Sequence, residues 1–216
     1  KINPDKSWVS LQHCEEELNK HIKKLKHKID TILFHDINIL YKKEGNKIYQ
    51  NLKILKKKKF FKKIGISIYD PSCLNYLMSN YTFDIIQCPF NIFDKRIINT
   101  GWLKKLKKKN VEVHARSIFL QGVLLNKKYS VKNYFKKWEK QFYKWFKYCK
   151  ENKISEIDFC INDIMKYDFD KIVIGVDNLK NLKQIVNFKL VSDEKKLIDF
   201  TINDLNLIDP RKWKNV

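Results

Sequence analysis

The chain has 216 residues, 44% of them hydrophobic, and its 45 Lys plus Arg against 24 Asp plus Glu give a formal net charge of +21. That length can bury a substantial core in a single domain spanning residues 1–216, no run approaches the roughly 20 apolar residues of a membrane span, and no signal-peptide pattern opens the sequence, so a soluble cytoplasmic protein is expected. The cysteines, Cys14, Cys73, Cys88, Cys149 and Cys160, are odd in number and lack Cys-x-x-Cys spacing, which argues for reduced, mostly buried thiols rather than a zinc site or a disulfide framework.

Leu11, Leu18, Ile22 and Leu25 recur at helical spacing, with Glu15, Glu16 and Glu17 early and lysines late, which predicts a helix whose charges match its dipole. It feeds a β-branched strand over 29–35 that ends in His35-Asp36. A helix around 43–58 leads to a strand over 63–69; Asp70-Pro71-Ser72 then opens a helix reaching Asn80. A strand follows over 83–88, then a loop over 90–99, a short helix over 102–109, a strand over 111–119 and a further loop to Leu125. Phe135, Trp138, Phe142, Trp145, Phe146 and Cys149 mark one face of a long amphipathic helix over 131–152, read as core. Ser155-Glu-Ile-Asp158 has the form of an N-cap and opens a helix to about Met165. The last strand is expected over 171–177, with a helix over 179–188 and a helical tail over 194–206.

Five β-α units in alternation predict an α/β fold with a parallel sheet and right-handed crossovers. They fit an open doubly wound sheet or the latter part of an eight-stranded barrel. No Gly-x-Gly-x-x-Gly follows any strand, which counts against a Rossmann fold and favours the barrel, whose functional end is the C-terminal end of its strands. Ser67, Gln87, Asn91, Arg116 and Ser117 fall at those ends. The basic runs 56–59 and 104–109 sit just before strands and read as solvated helix termini, where cations are favoured, and not as a nucleic-acid footprint. No His-x-His or carboxylate cluster at the strand ends suggests a metal centre.

The segments Lys63-Ile-Gly-Ile-Ser-Ile-Tyr69, Asp84-Ile-Ile-Gln-Cys-Pro-Phe-Asn91 and Val111-Glu-Val-His-Ala-Arg-Ser-Ile-Phe-Leu-Gln-Gly-Val-Leu-Leu125 carry, in order, Gly-x-Ser, Gln-x-x-x-Asn and Ser-x-x-x-x-Gly. Several motifs in this order resemble the aldo/keto reductase family. The resemblance implies a (β/α)8 TIM barrel, represented here by about five C-terminal β/α units. The chain begins at Lys1 without Met, and its first unit reads as the middle of such a barrel, so an N-terminal part carrying the first strands is expected to precede it.

A His at the end of one strand is by itself usually structural; the resemblance implies that His35 hydrogen-bonds and polarises the substrate carbonyl. It implies that Lys1, in the context Lys1-Ile2-Asn3-Pro4, is the lysine that lowers the pKa of a general-acid Tyr. That Tyr and an Asp paired with the Lys belong upstream of the residues present, so the 216 residues alone should not turn over. Ser67 and Gln87 match the side chains that bind the nicotinamide carboxamide, although the family's common Asn after that Ser is Ile68 here. Arg116 stands where many members stack an aromatic on the nicotinamide ring; a guanidinium plane can stack too, but its charge disfavours the oxidised, cationic ring. Ser117, Leu120, Gln121 and Gly122 match the loop along the pyrophosphate. Gly175, Asp177, Asn178, Asn181 and Gln184 match the adenosine end, with a departure where the family's closing Glu-Asn reads Gln184-Ile185. Asp177 would repel a 2′-phosphate and Lys180 could reach one, so both NADP(H) and NAD(H) stand open.

The function implied is an NAD(P)H-dependent oxidoreductase that reduces a small carbonyl or sugar-like substrate without a metal. The variant 116–125 resembles a bacterial subgroup found among sugar and surface-polysaccharide enzymes. The alternatives are a non-catalytic barrel that binds nucleotide as a regulatory or scaffold subunit and, further off, a basic nucleic-acid-binding protein.

Overall fold

A computed structural model describes residues 1–130, 133–191 and 198–213. In chain order these form α1 (Leu11–Leu25), β1 (Thr31–Phe34), α2 (Lys43–Lys57), β2 (Lys63–Ser67), α3 (Leu74–Asn80), β3 (Ile85–Pro89), α4 (Arg96–Asn99), α5 (Trp102–Lys108), β4 (Glu112–Arg116), α6 (Lys127–Ser130), α7 (Glu139–Glu151), α8 (Glu156–Met165), β5 (Lys171–Val173), α9 (Leu179–Val186) and α10 (Leu205–Ile208). The strands make one five-stranded sheet in the order β1-β2-β3-β4-β5. The pairing is parallel, Thr31 facing Lys63, Gly65 facing Ile85 and His114 facing Lys171. The expected alternation of strand and helix is therefore the observed one.

The differences lie at element boundaries and have local causes. The expected loop over 90–99 contains α4, because the Asp94 carboxylate accepts from Arg96 N at 3.2 Å and satisfies a donor at the start of that helix. In the long aromatic segment, 133–138 form a tight 3-10 helix and the α-helix proper begins at Glu139; Val131 lies outside the described residues. The last strand stops at Val173 and leaves 174–177 irregular. Of the expected tail helix, 194–197 lie outside the described residues and 198–204 are non-helical, the helix forming only at Leu205–Ile208, where Asp204 accepts from Asn206 N.

By contacts the chain divides into two compact units, Lys1–Cys88 with Lys104–Val113, and Pro89–Leu103 with His114–Val216. In the first, α1 starts at Ser10, whose hydroxyl accepts from His13 N, and ends on Lys23 and Lys24. α2 likewise ends on Lys56 and Lys57, the arrangement expected of a helix C-terminus. Lys56 also reaches across to Asp84 at 2.7 Å, whose other role is to accept from Ile64 N at 2.7 Å at the start of β2. Leu18, Ile48, Leu52 and Leu55 of the helices and Ile66 and Ile86 of the strands are fully buried. Parallel strands covered by helices carry such continuous apolar runs.

The second unit is built on aromatics. Trp145 is fully buried, donates Nε1–H to Leu124 O at 2.9 Å, and meets the Phe159 and Phe200 rings edge-on at centroid distances of 4.8 and 5.3 Å. Phe142 joins Phe93 and Phe135 in the same way at 5.5 and 5.9 Å. Phe135, Phe142 and Trp145 belong to the predicted stripe, and they are core. All five cysteines are free, and four are buried. Burial pushes the Cys14 thiol up to about 11 and the Cys73 thiol to about 12, so neither is poised as a nucleophile. No helix among the described residues is long and apolar enough to cross a membrane.

Gly65 has the least room in the sheet. A Cβ there would lie 2.3 Å from Ile85 O and 2.6 Å from Leu33 Cδ2. Gly65→Ala is therefore expected to force β2 and β3 apart and cost on the order of 3 kcal/mol, read as a lower urea midpoint at unchanged slope. An unchanged midpoint would contradict the strand packing.

Candidate functional site

In a parallel sheet all strand ends of one sense lie on one edge, so residues just past β1, β2 and β3 are neighbours by topology. In the first unit this edge brings four of the sequence-predicted residues together. Ile2 bridges to Phe34, and its carbonyl accepts from His35 N at 2.9 Å, which lays the start of the chain beside the end of β1. Lys1 is thereby placed to donate from Nζ to Ser67 Oγ at 3.1 Å. Ser67 is the residue in register with Gln87, and its hydroxyl lies 3.5 Å from Gln87 Oε1. Ser67 and Gln87 are buried, whereas Lys1 and His35 are exposed. Ile68 is fully buried and its N–H donates to Gln87 O at 2.8 Å, so the residue that replaces the family's Asn is spent on packing and on the ladder.

The second unit holds the remaining positions. Arg116 ends β4 and donates from Nη1 to Ser117 Oγ at 3.0 Å. The chain then turns with unusual backbone: Ser117, Leu120, Gln121 and Gly122 have φ of +61°, +46°, +55° and +83°. Only Gly is at ease in this region; a run of three other residues in it is strain of the kind concentrated at binding sites. Leu120 is fully buried and anchors the turn, while Gln121 is exposed. A Cβ on Gly122 or on Gly175 would meet nothing within 4 Å, so the space over both glycines is open. Asn178 caps α9 by accepting from Asn181 N at 2.9 Å, which occupies the side-chain oxygen of one predicted contact and the N–H of another. Asp177 and Gln184 are exposed on the same segment.

Two arrangements in this unit escaped the sequence reading, although it named Asn91 as a polar residue at a strand end. Asn91 is buried and its Oδ1 accepts from Phe93 N and Asp94 N at 2.9 and 3.0 Å, a turn that the spelling Asn-x-x-Asp could have suggested. Lys95, in the same loop, is paired with the buried Asp163 of α8 at 3.2 Å and with Asp199 at 3.4 Å. These partners are far apart in sequence and no local signal joins them. Burial disfavours both charges. For Lys95 burial is the largest single influence, but Asp163, Tyr167 and Asp199 together outweigh it and hold the ammonium above the usual lysine range; for Asp163 burial outweighs Lys95 and holds the carboxyl above the usual carboxylate range. Among the described residues no group of three or more His, Cys, Asp or Glu could hold a metal ion.

Lys95→Met leaves Asp163 buried beside far less positive charge, and a loss of about 3–5 kcal/mol is expected at neutral pH. Because the folded-state pKa of Asp163 lies above its unfolded value near 3.8, its contribution is present below that value and is lost as pH rises through the folded one. The deficit of the variant in urea melts should therefore shrink as pH is lowered from 7 towards 5. A deficit independent of pH would contradict the burial of an ionised Asp163.

The comparisons with known proteins identify the family and the fold. The sequence matches the profile of the Aldo/keto reductase family over residues 1–202. An aldo-keto reductase from Bacillus halodurans, in its holo form, superposes with a TM-score of 0.66 at 16% identity, over 87% of this chain and 65% of that one. The glycerol dehydrogenase from Gluconobacter oxydans gives 0.65 at 17% identity over 100% of this chain and 69% of that one. An aldo-keto reductase complexed with NADPH gives 0.57 at 13% identity, over 89% of this chain and 60% of its own. The chain thus spans about two thirds of the length of these structures, and at such identities they speak for the fold. No curated protein matches the sequence. With the family profile covering nearly the whole chain and the fold that of its (β/α)8 barrels, this chain belongs to the aldo/keto reductase family.

Proposed function

We propose that this chain is the nicotinamide-binding part of an NAD(P)H-dependent oxidoreductase that reduces a small carbonyl or sugar-like substrate to an alcohol. The observation that carries the reading is the buried, in-register pair Ser67 and Gln87, with the Lys1 ammonium 3.1 Å from Ser67 Oγ. A buried hydroxyl beside a buried amide offers both donors and acceptors, the complement of a carboxamide, at the functional edge of a parallel sheet. The open space over Gly122 and Gly175 fits close approach of phosphates to backbone.

When bound, the cofactor supplies the hydride. The chain's own residues would orient and polarise: in the first unit Ser67 and Gln87 would hold the carboxamide, and in the second Arg116 offers a plane for a ring and residues 117–122 offer backbone N–H groups for phosphates. His35 donates a hydrogen bond to the substrate oxygen as negative charge develops there, and Lys1 sets the local positive potential that favours an acidic proton donor. No residue of this chain is assigned the donor role itself. Gly175, Asp177, Asn178, Asn181 and Gln184 take the adenosine end, Asn178 and Asn181 through what remains after their cap. Asp177 and Lys180 carry opposite charges there, and the ratio of NADPH to NADH affinity reads which of them dominates. Glycerol, named for one structural neighbour, falls in the class of small polyols that such a site would oxidise or release.

Titration of NADPH and then NADH into the chain, followed by tryptophan fluorescence, tests the reading. Saturable quenching is expected, weakened about ten-fold or more by Ser67→Ala or Gln87→Ala in variants that remain folded by circular dichroism, since each removes hydrogen bonds a carboxamide would make. Absence of quenching by either cofactor would overturn it.

A further inference from the structure

We infer that Asn91 is a positioning residue, a clamp that holds the left-handed corner at Ser117 in the shape needed to receive the cofactor's phosphates. The inference rests on the assignment of residues 117–122 to the pyrophosphate and adds a residue to that site.

Ser117 has three connections. Its hydroxyl accepts from Arg116 Nη1 at 3.0 Å, its carbonyl accepts from Leu120 N at 2.9 Å, and the same carbonyl accepts from Asn91 Nδ2 at 3.4 Å. The first two lie within the corner itself and move with it. Among the described residues, the bond from Asn91 is the one that ties Ser117 itself to a different segment, the loop that follows β3. That loop is rigid for separate reasons. Asn91 is 2% exposed and uses its Oδ1 on Phe93 N and Asp94 N; its backbone exchanges hydrogen bonds with Asp94 in both directions, at 3.2 and 3.0 Å. Phe90 N donates to Arg116 O at 3.0 Å, which aligns the loop with the end of β4. Further along, Lys95 is fastened to Asp163 and Asp199, and Phe93 O accepts from Ile202 N at 2.9 Å.

The division of labour within the amide follows. Its oxygen builds the turn at 91–94, and its nitrogen reaches the corner. A side chain held this way can oppose the tendency of Ser117, a non-glycine residue at φ +61°, to relax to negative φ. Relaxation would rotate the peptide between Ser117 and Ile118 and re-aim the N–H groups that a phosphate would meet.

The two halves of the amide can be separated. Asn91→Asp keeps the oxygen that accepts from Phe93 N and Asp94 N and removes the donor to Ser117 O; Asn91→Ala removes both. Hydrogen exchange of residues 116–122 in the ligand-free chain is expected to quicken by at least about three- to ten-fold in Asn91→Asp, the loss of one neutral hydrogen bond, while the exchange of 92–95, whose bonds to the retained oxygen persist, changes less than that of 116–122. Asn91→Ala is expected to quicken both segments and lower the melting temperature. NADPH affinity should fall by a similar factor in Asn91→Asp, also at high salt, where repulsion from the added carboxylate is screened. Unchanged exchange at 116–122 in Asn91→Asp would overturn the clamp whatever the cofactor does. Faster exchange with unchanged NADPH affinity would overturn its part in binding. If the unaltered chain bound neither NADPH nor NADH, the cofactor assignment would fall and the positioning role with it, while the exchange data would still report the clamp.

Discussion

The close approach of β2 and β3 is the constraint on which the candidate site depends. A parallel ladder fixes which residues face each other, and Gly65 opposite Ile85, with no room for a Cβ, locks this pair at a single register. Two residues further on, the same register sets Ser67, the last residue of β2, opposite Gln87 of β3. A slip of β2 by one residue would turn Ser67 to the other face and set Ile66 or Ile68 opposite Gln87. The site is thus a consequence of strand packing before it is a matter of particular side chains. Asp84 contributes at the opposite end by accepting from Ile64 N and from Lys56, which fixes the start of β2.

In the second unit the constraint is the irregular backbone after β4. Three non-glycine residues at positive φ within six positions persist only because neighbours over-determine them. Leu120 is driven into the core, Arg116 holds the Ser117 hydroxyl, and Asn91 holds its carbonyl. The aromatic core beneath, with Trp145 bonded to Leu124 O just past the corner, gives this arrangement a stiff base. Strain, anchoring and open space over Gly122 occur together, the combination expected of a segment shaped for a ligand rather than for its own stability.

Much of this was legible in the sequence, and the parts that were not share a cause. Strand runs such as 63–67 and 85–89 are apolar and β-branched because both faces are covered, so their pattern reports their place directly. Ser67, Gln87, Arg116 and Ser117 were visible as polar residues that interrupt such runs. The helix cap at Ser155 was equally plain, a hydroxyl accepting from the third residue on. Contacts between remote segments left no local trace: the pairing of Lys95 with Asp163, the bond from Asn91 to Ser117 O, and Phe200 seated against Trp145 depend on the folded chain. Boundaries also resisted. The start of the long aromatic helix shifted to Glu139 because periodicity of apolar residues does not distinguish a 3-10 turn from an α-turn over so few residues. α4 went unseen because its first donors are satisfied by Asp94, a residue that equally suits a loop.

The central claim is that the polar pair at the ends of β2 and β3 receives the nicotinamide carboxamide. Its most direct test is an NMR titration of reduced nicotinamide cofactor into the isotopically labelled chain, observing the Gln87 side-chain amide together with the backbone amides. The account predicts saturable shifts at the Gln87 amide and at Ile68, with the lysine-rich end of α5 at Lys105, Lys107 and Lys108 unmoved. Shifts confined to that basic end, or none at Gln87 under saturating cofactor, would contradict it.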